Sequence, residues 1–242
     1  MSTYVYGFVH DDESLDGMEL SGVGEGAPPV RFVRAHGIAA AVSDAPQGLR
    51  AKRRDLAAHQ EVLQRLAQNH GVLPMRFGAV SENDDAVAAE IGRFADHYST
   101  LLGRLEERVE FNVKASHVEE AALRTVLSED EGLRARNETL KRIGGGSPAE
   151  RMSFGEQVAQ ALEGLKQRDS DVVVEPLAEH AERTAQGPLV DGCLANVSFL
   201  VHRDRAEEFL DEAERLRREF DTYMEVRVNG PLPPYSFVTS PQ

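Results

Sequence analysis

The groups in this chain that could do chemistry are eight histidines, one cysteine and a surplus of carboxylates. The histidines are His10, His36, His59, His70, His97, His117, His180 and His202, and none falls in the H-E-x-x-H pattern of a helical zinc site. His117-Val118-Glu119 opens like a zinc deaminase signature, but the P-C-x-x-C that must follow it is missing. His59, Leu63, Leu66 and His70 fall on one helical face, so a two-histidine metal site is conceivable there. No carboxylate is evidently supplied to complete it, and partly buried or rim histidines are the simpler reading. Cys193 lacks a neighbouring cation or helix start to lower its pKa, and reads as a small core or edge residue. Being alone, it also rules out an internal disulfide or a cysteine metal cage.

Gly22, Gly24 and Gly26 invite a nucleotide-loop reading. Their spacing is not G-x-G-x-x-G, and Ala27-Pro28-Pro29 stands where a helix should open, so a flexible loop is expected instead. Carboxylate pairs such as Glu106-Glu107, Glu119-Glu120 and Glu207-Glu208 lie on predicted helices and read as solvated faces. General acid–base work would need a pocket that splits two pKa values. No catalytic residue, metal ligand or cofactor is therefore expected.

Charge narrows the field further. With 41 acidic and 27 basic side chains the net charge is −14, which opposes sequence-independent binding to nucleic acid or anionic lipid. The basic cluster Arg50-Ala51-Lys52-Arg53-Arg54 runs against that trend and reads as the solvated entry to a helix or as a contact for an acidic partner. No run of about 20 apolar residues exists to span a bilayer, and the N-terminus does not read as a secretory signal. A cytoplasmic address is the expectation.

The elements that must position these groups follow from periodicity. Tyr4–Val9 reads as a strand, and Val30–Ala35 with Ile38–Ser43 as a hairpin turning at His36-Gly37. A helix is predicted over about 52–69, with Leu56, Leu63 and Leu66 on one side and Gly71 as its terminal glycine. Residues 72–80 return as a strand. Val87, Ile91, Phe94, Tyr98, Leu101 and Leu105 form a helical stripe, capped by Ser81, Asn83 or Asp84. Period two then takes over at Val109, Phe111, Val113 and Ala115. A helical region over about 118–143 stops at Gly144–Pro148, and another begins at Pro148 with Phe154, Val158, Leu162 and Leu165 facing inward. Val172-Val173-Val174, ending at Pro176, reads as a turn or short strand. Strand, helix and strand close the chain, through Ala195–Val201, Ala206–Phe220 and Met224–Val228.

This order predicts an α+β protein of two domains. Residues 1–108 would form a small ferredoxin-like antiparallel sheet with helices. Residues 109–242 would form a ferredoxin-like α+β domain with a helical insertion over about 118–170 and a Pro-rich tail.

Three segments remain: Tyr4-Val5-Tyr6-Gly7, Leu73-Pro74-Met75-Arg76-Phe77-Gly78 and Asn229-Gly230-Pro231-Leu232-Pro233-Pro234-Tyr235-Ser236-Phe237-Val238. Together they resemble the GvpF/GvpL family of gas vesicle proteins, across nearly the whole chain. Leu232 stands where relatives often carry an aromatic residue. The signature residues so identified are Tyr4, Tyr6, Gly7, Pro74, Met75, Arg76, Phe77, Gly78, Gly230, Pro231, Pro233, Pro234, Tyr235 and Phe237. Read from the residues, Arg76 would point away from Met75 and Phe77, either to pair with an acidic neighbour or to reach a partner. The prolines stiffen the tail, which would place Tyr235 and Phe237 on one side of an extended segment. That segment would strap across the second domain's core, or dock on a partner.

The resemblance implies a non-enzymatic role in gas vesicle assembly. The implied partners are the small shell protein and other accessory proteins, with a place in the vesicle itself. A ferredoxin-like small-ligand binder or enzyme is the alternative, because such sheets host many functions. A nucleic-acid module is disfavoured by charge and by the lack of aromatics on basic strands.

Overall fold

The computed structural model describes residues 2–189 and 192–238. Backbone contacts divide it into two compact units, residues 1–110 with 230–242, and residues 111–229. The Pro-rich tail therefore groups with the first unit, whereas the sequence reading attached it to the second.

In the first unit, β1 (Thr3–His10), β2 (Arg31–Ala35), β3 (Ile38–Asp44) and the two-residue β4 (Leu73–Pro74) are ordered β2-β3-β1-β4. The short β5 (Val80–Ser81) also pairs with β1. All these pairings are antiparallel. Central β1 is buried along almost its whole length because helices cover both faces. An irregularity in its pairing with β3 between Val5 and Gly7 breaks the side-chain alternation. Tyr4, Tyr6 and Val9 consequently join one core, with Val62, Leu63 and Leu66 of α1 (Arg53–Ala67). Phe8 instead stacks on Tyr98 of α2 (Asp84–Leu105), with ring centroids 4.7 Å apart. Of the three candidate caps it is Asn83 that starts α2, accepting a hydrogen bond from the Ala86 amide.

Several expectations need correction. The segment 72–80 is two short strands, because a turn in which the Ala79 amide bonds to the Arg76 carbonyl lifts residues 76–78 off the sheet. Gly78, at φ +95°, supplies the left-handed conformation that this turn requires. Gly71 is not a left-handed cap. A side chain there would come within about 3.0–3.1 Å of the α2 backbone at Leu102 and the neighbouring Glu106, so its role is close approach. Leu56 is exposed, and the buried stripe of α1 is Asp55, His59, Val62, Leu63 and Leu66. The glycine-containing connection between β1 and β2 is no loose loop. Leu15, Leu20 and Val23 are buried in the core that α1 covers, and the Val23 amide donates to the Tyr6 hydroxyl.

The second unit carries the sheet β7-β8-β6-β9, formed by β6 (Arg108–His117), β7 (Arg183–Gln186), β8 (Cys193–His202) and β9 (Met224–Leu232). Taken as sequence positions 2-3-1-4, both sheets have the strand order of a ferredoxin-like fold. Phe111 of β6 stacks on Phe209 of α6 (Ala206–Glu219), with centroids 4.9 Å apart, and Phe199 of β8 lies 5.3 Å from the same ring. Between β6 and β7 come α3 (Glu119–Glu129), α4 (Glu131–Arg142) and α5 (Pro148–Ala178). The predicted helical region over about 118–143 divides at Asp130, whose carboxylate accepts from the Leu133 amide and starts α4. Three consecutive left-handed glycines, Gly144 to Gly146, then stop it. A Ser147–Glu150 capping box and Pro148 start α5.

Val172–Val174 is helical, not a turn or strand. A proline inside a helix costs about 3 kcal/mol. Val173 and Leu177 are both fully buried, and each such burial returns about 1.5–3 kcal/mol. Packing therefore overrides the break that Pro176 signals.

The packing of the first connection yields a test. A methyl group at Gly22 would lie 2.5 Å from the Tyr6 hydroxyl and 2.8 Å from Ser43 Oγ, whereas Gly26 faces open space. Gly22→Ala should lower the free energy of urea unfolding by about 1–3 kcal/mol, with Gly26→Ala close to neutral.

Candidate functional site

The three signature segments come from opposite ends and the middle of the first unit's sequence, and they meet around His59. Helix α1 carries this ring into the core, where it is 3% exposed. Its Nδ1 lies 2.9 Å from the Tyr4 hydroxyl, and its Nε2 lies 3.0 Å from the Met75 carbonyl oxygen. A carbonyl can only accept, so Nε2 carries the proton and Nδ1 accepts from Tyr4. The Tyr4 oxygen in turn accepts from the Gly78 amide at 3.1 Å. The Tyr235 oxygen sits 3.3 Å from Nε2, as a second acceptor for the same proton.

Rings close the site. Tyr6 stacks on His59 at 5.5 Å between centroids, Tyr4 lies edge-on at 5.7 Å and Phe77 edge-on at 5.8 Å. The Tyr6 oxygen accepts from the Val23 amide at 2.8 Å and shares a hydrogen bond with Ser43 Oγ at 2.9 Å. Gly7 has to be glycine, because a side chain there would lie 2.7 Å from the Leu73 carbonyl oxygen. Pro74, which has no N–H to offer, pairs with Gly7 on the short β4.

The tail enters the same unit through Glu110. This carboxylate is 3% exposed, and among the described residues no cation pairs with it. It accepts instead from the Ser236 amide at 2.8 Å and the Ser236 hydroxyl at 2.7 Å. Tyr235–Phe237 form a 3-10 turn, not the extended strand expected, so Phe237 is buried while Tyr235 keeps more than a third of its surface. Pro233 and Pro234 are buried, and Gly230 and Pro231 are exposed. Arg76 is exposed on its turn and pairs with no acid among the described residues, so the acidic-neighbour reading is corrected.

The electrostatics suit a neutral scaffold. Burial holds the His59 pKa below its ordinary value, against the opposing pull of the Met75 carbonyl. Burial likewise raises the Tyr4 and Tyr6 hydroxyls, and burial together with the Glu110 charge pushes Tyr235 up to about 12. Every buried side-chain polar atom among the described residues has a partner. The groups are occupied with one another and with backbone, so what the arrangement does chemically is fasten distant segments together.

The other singled-out residues lie elsewhere. His70 Nδ1 is 3.2 Å from Asp12 and its Nε2 is 3.0 Å from Ser14, so it is held by the loop after β1 and not beside His59. His117 bonds Asp169 at 2.7 Å, and Asp169 also takes the Tyr223 hydroxyl, which fastens α5 to the end of β6. In the basic cluster, Lys52 pairs with Glu25 and Arg54 with the buried Asp55 at the start of α1. Among the described residues no group of three or more His, Cys, Asp or Glu could hold a metal ion. Among the described residues no helix is long and apolar enough to cross a membrane. Sequence reasoning missed Glu110, Ser236 and Ser43 as site residues and read His59 as partly buried or on a rim. Only its place on an apolar helical face hinted otherwise.

A pH test follows from the neutral ring. Below about pH 6.5 the unfolded chain protonates His59 while the folded chain resists, so its contribution is complete above that pH and declines as pH falls. Between pH 7.5 and 5.5 the unfolding free energy should drop by about 1 kcal/mol more in the wild type than in His59→Gln, measured by urea titration.

Comparison with known proteins identifies the family of the chain. Residues 2–239 match the family model described as gas vesicle synthesis protein GvpL/GvpF. The chain is 43% identical to gas vesicle protein F of Streptomyces sp. (strain CB03234), over 98% of this chain and 100% of that protein. It is 27% identical to gas vesicle protein L1 of Halobacterium salinarum, over 97% of this chain and 89% of that one. In fold it is similar to the crystal structure of gas vesicle protein GvpF from Anabaena sp. PCC7120, with a TM-score of 0.84, 23% identity and coverage of 100% and 99%. The GvpF structure from Microcystis aeruginosa gives a TM-score of 0.80 at 22% identity, covering 98% of each chain. With a family model spanning it almost end to end, the chain belongs to the gas vesicle protein GvpL/GvpF family.

Proposed function

We propose that this protein is a non-enzymatic assembly factor that binds the small gas vesicle shell protein, alongside other accessory proteins, and keeps it from aggregating until it is built into the wall. A wall that excludes water needs an apolar inner surface, and free subunits bearing such a surface stick to one another. An acidic partner with net charge −14 would keep the complex dispersed. Such a protein works in the cytoplasm and at the vesicle.

One observation carries the reading further. Met75 and Phe77 are anchored at the His59 network, and the turn between them holds Arg76 in solvent without an acidic partner among the described residues. Val80, at the end of this segment, is 51% exposed. A cation fixed on a rigid base beside apolar surface is the kind of anchor that interfaces use. We assign the 75–80 turn as part of the shell-protein contact.

The alternative, a ligand-binding or catalytic role, would need a pocket with converging free polar groups. Two grooves of about 400 and 460 Å³ lie on the helical insertion, around Asp130 and Ala161. Their acids are already engaged, Asp130 in capping α4 and Glu129 in an ion pair with Arg168. The grooves lend that reading no support.

Arg76→Glu in the full chain should reduce co-purification of the shell protein at least tenfold, or about 1.4 kcal/mol, and impair flotation of cells. The variant's thermal midpoint should stay close to that of the wild type, because the side chain is exposed. Unchanged capture and normal buoyancy would reject the assignment.

A further inference from the structure

Helix α1 breaks a rule of its own stability at its start. The N-terminus of a helix carries partial positive charge, which acids relieve and cations aggravate. Lys52 nevertheless stands at the cap position without a side-chain capping bond, and Arg53 and Arg54 open the first turn. The one acid of that turn, Asp55, is buried, where it accepts from the Gly24 amide at 3.2 Å and pairs with Arg54. Arg50 and Arg53 are exposed and pair with no acid among the described residues. A cationic start that local stability disfavours points to a ligand for the cations.

The charge distribution runs the same way. Residues 50–76 hold six basic and two acidic side chains, in a chain whose acids outnumber its bases by 41 to 27. The exposed stripe that continues from Arg53 through Leu56, Gln60 and Gln64 at helical spacing carries no further charge. Leu56 is 42% exposed and lies one turn before His59. The same imidazole ties down Tyr235, which is 37% exposed, and the turn that holds Arg76, through the Met75 carbonyl. Unpaired cations, an apolar side chain and the 75–80 turn are thus gathered about one helix.

We infer that the start of α1 and its exposed stripe extend the shell-protein contact, and that they receive an acidic segment of that protein carrying an apolar side chain. Its carboxylates meet Arg50 and Arg53, and its apolar side chain meets Leu56. The inference rests on the shell-protein reading above and names the chemistry of that site. A short segment suits the surface better than a long polyanion does. Nucleic acid or an anionic lipid surface would bring phosphates against the rest of a chain whose net charge is −14. A segment seated on α1 senses mainly the cations within about 10 Å, the Debye length in roughly 0.1 M salt.

The test co-expresses the tagged full chain with the shell protein and measures what is retained through washes of rising salt. Wild-type capture should weaken as salt rises. Arg50→Glu, Arg53→Glu should cut capture at least tenfold, and Leu56→Ser should cut it severalfold. Lys141→Glu, Arg142→Glu makes the same change in net charge at the end of α4 and should leave capture unchanged. Because acids favour a helix N-terminus, the thermal midpoint of the α1 double variant should not fall, so its loss of capture reads binding and not folding. Capture that survives the α1 reversal or Leu56→Ser, or that falls equally in the α4 control, would overturn the inference and leave the shell-protein reading intact. Capture absent from the wild type at every salt concentration would overturn both. Retention of the wild-type chain on heparin or phosphatidylglycerol vesicles at about 150 mM salt, lost in the α1 variant, would assign the cations to a phosphate or sulfate polyanion and overturn it as well.

Discussion

His59 lies between the rings of Tyr4, Tyr6 and Phe77 with its Nε2 facing the carbonyl oxygen of Met75. Because a carbonyl has no proton to give, this one contact fixes the tautomer of the ring and leaves Nδ1 as an acceptor for Tyr4. Burial opposes a second proton, so the ring stays neutral. From it run hydrogen bonds that order the opening strand, the turn after β4 and the tail. Tyr4 holds the Gly78 amide, and Tyr235 reaches back to Nε2. Segments separated by as many as 176 positions are tied to one imidazole.

The layering of the first unit makes this possible. A shift in pairing between Val5 and Gly7 sends Tyr4 and Tyr6 toward α1 and Phe8 toward α2, so one strand serves two cores. The connection from β1 to β2 replaces a crossover helix and seals the α1 side by placing Val23 over Tyr6. Glycines are needed where backbone or hydroxyl comes closest, at Gly7 and Gly22. Most of the signature residues therefore build this base, whereas Arg76 is presented to solvent by it and Gly230 and Pro231 are exposed.

Much of the architecture could be read from the chain. Periodicity located the long helix from Asp84 to Leu105, the alternating strand at 109–115 and the closing strand, helix and strand, because each buries a regular face. The readings failed where tertiary packing outweighed local chemistry. Pro176 signals an end to a helix, but buried Val173 and Leu177 carry α5 through it. The glycines at 22–26 signal looseness, yet Gly22 and Val23 are packed because the absent side chain at Gly22 lets the chain approach Tyr6, and only Gly26 faces open space. The tail's prolines predicted extension, but the hydrogen bonds that Ser236 donates to Glu110 favour a turn at Tyr235–Phe237. Glu110 itself was illegible, since a carboxylate in the polar phase of a strand looks solvated until the chain that covers it is known. The signature segments could be named from sequence, but only long-range contacts show that they converge on His59.

The central claim is that this network acts as one cooperative fastening and not as a set of independent bonds. Native-state hydrogen exchange in Tyr4→Phe tests it most directly, because that change removes one hydroxyl and leaves the ring in place. The account predicts that the amides of Gly78, Met75 and Ser236 lose protection together, although only Gly78 bonds to the deleted oxygen. Loss of protection confined to Gly78, with Met75 and Ser236 unchanged, would contradict it.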